Sequence, residues 1–147
     1  MSQRIDRAGI LQLIPQQGLA CLLEEVLEWD EQRLLARGVD PRASSHPLHA
    51  HGRLGSALAI EYAAQAACAH GALLGATAPG SGGAAVTLLA SARSVLLDTT
   101  RLDTATDPLL IEVRPLHATA AGALYEFRVP PDAPVARGRL GLLVVRA

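Results

Sequence analysis

Residues Ser56 to Gly75 form an alanine-rich stretch in which Glu61 is the only charged side chain. No charge then follows from Tyr62 to Ala92. A membrane span is excluded, because Gln65, His70, Pro79 and the Gly80-Ser81-Gly82-Gly83 cluster interrupt the run and alanine is too weakly apolar to hold it in a bilayer. The stretch reads as one long helix, with Ser56 as N-cap and Gly75 where a C-cap would stand. Leu58, Tyr62, Ala66, Ala69 and Leu73 share one stripe of that helix, and Glu61, Gln65 and Cys68 share the neighbouring one. With so little side-chain bulk, whatever packs on the helix approaches closely, as a sheet wrapped around it would. Glu61 stands out because an ionised carboxylate on so apolar an element needs a partner, a watered cavity or a raised pKa.

The flanking segments supply such a sheet. Residues 20–29 and 32–39 are β-compatible and separated by the polar Asp30-Glu31, which suggests a hairpin. A short apolar patch, residues 9–14, precedes them and ends at Pro15. After the helix and a turn at Pro79 to Gly83 come four β-compatible runs, 86–102, 109–116, 122–129 and 135–145, with turn signals between them at Asp107-Pro108, Ala121-Gly122 and Pro130 to Pro134. A segregated helix with consecutive strands makes an α+β fold, an antiparallel sheet curled around one central helix. The 147 residues fit a single domain, 1–147, and a 50% hydrophobic content is ample for its core.

Charge narrows the function. The net charge is −1, and all 13 basic residues are arginines spread along the chain, so the footprint of a nucleic-acid binder is missing. No secretory signal is visible at the start, and Cys21 and Cys68 read as reduced, buried thiols, so a soluble, cytoplasmic protein is expected. The loop from Asp40 to Gly55 is long, rich in Pro, Ser and Gly, and carries His46, His49 and His51, which marks it as functional. As a metal site the three histidines are weak, for no cysteine pair or acidic ligand accompanies them, so neither metal nor cofactor is expected. Gly-x-Ser-x-Gly and a phosphate-loop lysine are both absent, which argues against a serine hydrolase and a nucleotide binder. His70, near the helix end, reads as a cap or a dipole partner.

The residues also resemble a known family. Gly55-Ser56-Ala57-Leu58-Ala59-Ile60-Glu61-Tyr62-Ala63-Ala64-Gln65, together with Leu13-Ile14-Pro15-Gln16-Gln17-Gly18 and Cys21 to Leu27, resembles the hotdog-fold 3-hydroxyacyl-acyl-carrier-protein dehydratases. His46-Pro47-Leu48, Gly52-Arg53-Leu54, Ile60 to Ala66, His70-Gly71, Leu89 to Val95 and Thr100 to Asp103 are most similar to the divergent, ApeP-like branch found with aryl-polyene clusters. The resemblance implies a hotdog fold and water elimination from an acyl thioester, with His46 as base, a role for which His49 and His51 of the same loop compete, and Glu61 as acid. It further implies Gln65 orienting the carboxyl group or the thioester, and backbone N–H groups of Gly55, Ser56 and Ala57 receiving the developing oxyanion. The partner implied is an acyl-carrier protein bearing acyl-phosphopantetheine, with Arg53, Arg93 or Arg101 near the tunnel mouth. The assembly implied is a homodimer, or a heterodimer with a related dehydratase. The loop at His46 and the turn at Gly55-Ser56 lack the glycines and proline of the catalytic pattern, which keeps two other readings open: a non-catalytic hotdog subunit, and a thioesterase in which Glu61 activates water.

Overall fold

A computed structural model describes residues 4–76, 85–104 and 107–146. Its strands are β1 (Leu23–Asp30), β2 (Arg33–Gly38), β3 (Ala85–Leu97), β4 (Leu110–Ala118), β5 (Gly122–Val129) and β6 (Ala136–Arg146), with a short helix α1 (Arg7–Leu11) and a long helix α2 (Ala59–Ala76). All strand pairs are antiparallel in one sheet of order β1-β2-β4-β5-β6-β3. Helix α2, the one long helix among the described residues, lies against the sheet, as the resemblance implies.

Helix α2 is buried almost continuously from Tyr62 to His70. Its alanines let the sheet close on it, and Val26, Leu34, Ala36, Ile111, Val113, Tyr125, Phe127 and Leu140 fill the space from the strands. Strand alternation decides the faces: Tyr125, Phe127 and Val129 are buried while Arg128 is exposed, and the same holds for Ala136 and Leu140 against Arg137 and Arg139. The β1–β2 hairpin closes as its polar Asp30-Glu31 suggests. The Asp30 carboxylate accepts the N–H groups of Gln32 (2.7 Å) and Arg33 (3.0 Å), and these bonds hold its pKa below the usual value.

Several boundaries differ from expectation for local reasons. Helix α1 begins at Arg7, earlier than the apolar patch, because the Asp6 carboxylate caps it by accepting the Gly9 N–H at 2.9 Å. Residues Gly18–Ala20 form a 3-10 turn, so β1 begins only at Leu23. Ser56 does not cap the long helix. A 3-10 turn, Ser56–Leu58, precedes α2, Gly55 occupies the cap position, and no side chain caps it. Gly75 lies inside α2 instead of beyond its end. Strand β3 stops at Leu97, short of Leu102. The expected turn from Pro79 to Gly83 lies outside the described residues. Among the described residues no helix is long and apolar enough to cross a membrane.

Candidate functional site

The loop between β2 and α2 is a chain of tight turns. Ala43 N–H bonds to Asp40 C=O, His46 N–H to Ala43 C=O, and His49 N–H to His46 C=O. This winding delivers His46 into the interior, where it is only 4% exposed. Its Nδ1 accepts the Leu48 N–H at 3.1 Å, so in the neutral ring the proton sits on Nε2. That Nε2–H then donates to the Tyr62 hydroxyl (2.8 Å), and the hydroxyl donates to the Val39 C=O (2.7 Å). Burial, with a smaller contribution from nearby His49, lowers the His46 pKa. Burial likewise removes Tyr62 as an acid, since its hydroxyl is pushed far above its ordinary value. Both ring nitrogens of His46 are therefore occupied, and the ring is held neutral.

The other two histidines part company from it. His49 stacks on the His46 ring, centroids 5.6 Å apart, with its Nε2 2.5 Å from the Pro41 C=O. His51 is exposed at φ 54°, beside Gly52 at φ 74°, in a two-residue turn closed by paired bonds between Ala50 and Arg53. Positive φ at both positions is what a tight hairpin turn demands, so Gly52 is needed there for its conformation. Among the described residues no group of three or more His, Cys, Asp or Glu is placed to hold a metal.

Ala57 of the 3-10 turn and Ala64, Cys68 and Gly71 of α2 stand at spacings of three and four around Glu61, so the side chains in line with it are small. Glu61 is half-buried and makes no hydrogen bond or ion pair with any described residue. Its charge is felt at Cys68, two turns on, where burial foremost and Glu61 second push the thiol up to about 11. That leaves Cys68 an inert thiol whose Sγ lies 3.8 Å from the Thr87 C=O.

Gln65 does not reach Glu61. Its amide oxygen accepts the Leu22 N–H at 2.7 Å and its amide nitrogen donates to the Ala20 C=O at 3.0 Å, so both ends clamp the chain entering β1. His70 caps no helix end. It is wholly buried, its Nε2–H donating to the Asp30 C=O (2.7 Å) and its Nδ1 accepting from the Tyr125 hydroxyl (2.7 Å), and burial lowers its pKa. At the helix start, the Ser56 N–H is bonded to the Thr100 C=O, while the N–H groups of exposed Gly55 and Ala57 have no acceptor among the described residues. Arg53 is exposed and unpaired among these residues. Arg101 is tied to Asp103 at 2.6 Å, a contact that, with the Leu54 N–H, holds the Asp103 carboxyl well below its usual range. Tyr62, Tyr125 and Asp103 were not legible as partners of His46, His70 and Arg101, except that Asp103 stands two positions from Arg101 in sequence.

The sequence profile of the ApeP-like family, described as ApeP dehydratase, matches residues 8–145. The chain belongs to the ApeP-like dehydratase family. Among the solved structures that share its fold are the following three. The dehydratase heterocomplex ApeI:P from Xenorhabdus doucetiae is 17% identical with TM-score 0.76, covering 93% of this chain and 91% of that one. The thioesterase HI1161 from Haemophilus influenzae is 14% identical with TM-score 0.60, covering 97% and 92%. A mutant of the thioesterase PA1618 from Pseudomonas aeruginosa is 18% identical with TM-score 0.56, covering 81% and 78%. No curated protein sequence matches significantly. These likenesses establish an antiparallel hotdog architecture that dehydratases and thioesterases share.

Proposed function

We propose that this ApeP-like hotdog protein, a single domain spanning residues 1–147, eliminates water from 3-hydroxyacyl groups carried on an acyl-carrier protein, giving an enoyl thioester, with Glu61 as the acid. One observation carries the reading: Glu61 is a half-buried carboxylate set in a line of alanine, cysteine and glycine with no partner among the described residues. A purely structural carboxylate in that position would be stabilised by a donor, and a group left free on an apolar line is suited to protonating a departing hydroxyl. Next to it, the unpaired N–H groups of Gly55 and Ala57 suit the thioester oxygen as negative charge develops there. Ser56, whose N–H is already taken, contributes its place in the turn, and Gln65 contributes by fixing the start of β1 beneath the site. Arg53 is free to meet the carrier. The protein acts as a dimer in the cytoplasm, where two buried free thiols persist, and its likeness to the ApeI:P dehydratase heterocomplex favours pairing with a related dehydratase.

His46 serves as base in this reading only when its loop releases Nδ1 from Leu48. The occupation of both its nitrogens supports a second reading, in which the chain is the non-catalytic half of a heterodimer and the base comes from the partner. The test is mass spectrometry of 3-hydroxyacyl-carrier substrates with the purified protein, alone and with a related dehydratase. Loss of one water by the protein alone supports the first reading. Loss only in the mixture supports the second, and release of free thiol assigns a thioesterase.

A further inference from the structure

The outer face of the sheet, away from α2, carries four arginines on β3, β5 and β6, with the carboxylates of Glu126 and Glu112 in register beside them. Antiparallel register sets Arg93 of β3 directly opposite Arg139 of β6, and Arg137 of β6 directly opposite Arg128 of β5. Directly opposed residues point to the same side, so these are two cross-strand pairs of like charge, an arrangement that destabilises a sheet unless something anionic joins it. All four side chains are exposed. Arg93, Arg137 and Arg139 have no hydrogen-bond or ion-pair partner among the described residues, and Arg128 has only a 3.5 Å contact with the Pro131 C=O. Glu126 stands opposite Arg139 and Glu112 opposite Arg128, yet no ion pair forms within either of these two pairs, and the Glu112 carboxylate is already held by Arg33 and Arg114.

The backbone makes a dent at the same place. Between the Arg93–Arg139 and Leu96–Arg137 pairs the register of β3 shifts, so Ser94 and Val95 both oppose Gly138. A Cβ at Gly138 would be tight, 3.0 Å from both Cα and Cγ2 of Val95. Ser94 takes φ 52°, in the left-handed region that residues other than glycine adopt only under strain. The result is a concavity of about 180 Å³ lined by Ser94, Leu96, Glu126, Arg128, Arg137 and Arg139, three cations against one carboxylate, with a hydroxyl at its edge.

We propose that this concavity binds a phosphate group. Forked guanidinium donors converging from adjacent strands match phosphate oxygens, and a dianion would relieve both repelling pairs at once. The site lies on the opposite face of the sheet from Glu61 and does not depend on the dehydratase reading.

The test compares thermal unfolding and calorimetric binding with inorganic phosphate against chloride at equal ionic strength, for the unmodified protein, the double variant Arg128→Gln with Arg137→Gln, and an Arg37→Gln control elsewhere on the sheet. The expected result is stabilisation by phosphate that exceeds chloride, is retained in the control, and weakens about tenfold in affinity for each guanidinium removed. In chloride, the double variant melts at or above the unmodified protein, because it has lost a repulsion. Coenzyme A, phosphopantetheine and inorganic phosphate then distinguish sources: tighter binding of the pantetheine compounds assigns the phosphate to a carrier arm, equal binding to a free phosphate. No phosphate effect beyond chloride, or an effect that survives in the double variant, overturns the proposal.

Discussion

Replacing Gln65 with leucine separates a substrate-facing amide from a structural clamp. The side chain is 2% exposed and its two bonds reach the backbone at Leu22 and Ala20, so Gln65→Leu keeps the volume and removes both. Leu22 is buried, so its N–H is stranded without water and bears a penalty of about 1–3 kcal/mol. Ala20 is exposed, so its C=O is rehydrated and the second loss costs less, about 0.5–1.5 kcal/mol. The greater apolarity of leucine returns part of this, leaving a net destabilisation of about 2–3 kcal/mol. For a chain of this size that lowers the melting temperature by about 4–12 °C. Urea unfolding should show a lower midpoint with an unchanged slope, since the surface exposed on unfolding is the same. Catalysis per folded molecule should fall only modestly. A stability change below about 1 kcal/mol combined with abolished turnover would show that the amide faces the substrate and refute the clamp.

Stability should also depend on pH through the two buried histidines. Burial lowers the folded-state pKa of His46 and His70 below 6.5, so the folded protein binds fewer protons than the unfolded chain just below that value. Their contribution is therefore fully present above pH 6.5 and is lost as pH falls beneath it; urea midpoints should decline from pH 7.5 to 5.5, and His70→Gln should flatten that slope. Glu61→Gln removes no structural bond, so stability should hold within about 0.5 kcal/mol, while turnover on a 3-hydroxyacyl carrier substrate drops on the order of a hundredfold or more. At Gly38 a Cβ would sit 2.5 Å from Tyr62 Cε1 and 3.1 Å from Ile111 Cδ1. Gly38→Ala should therefore cost about 1–3 kcal/mol by calorimetry and loosen His46, raising its pKa in a ¹H NMR titration.

Local physics made much of this molecule readable in advance. Alanines from Ala59 to Ala76 allow one helix to be wrapped closely by a sheet, strand alternation sorts Phe127 from Arg128, and Asp30 closes a hairpin by bonding to the N–H groups of Gln32 and Arg33. Each depends on residues a few positions apart, so periodicity and turn chemistry reveal it. Glu61 stands out as a candidate for the same reason, as a lone charge on an apolar element. The work of the other site candidates was decided between residues far apart in the chain. Gln65 turns to a backbone 43 positions away, His70 to a tyrosine 55 positions away, and His46 to a hydroxyl 16 positions on that only the folded loop presents. A side chain's hydrogen-bonding capacity is written in the sequence, but which donor it meets depends on how the sheet curls. The arginine cluster followed the same rule: its members are scattered through β3, β5 and β6, and only strand register sets like charges face to face beside the register shift at Ser94.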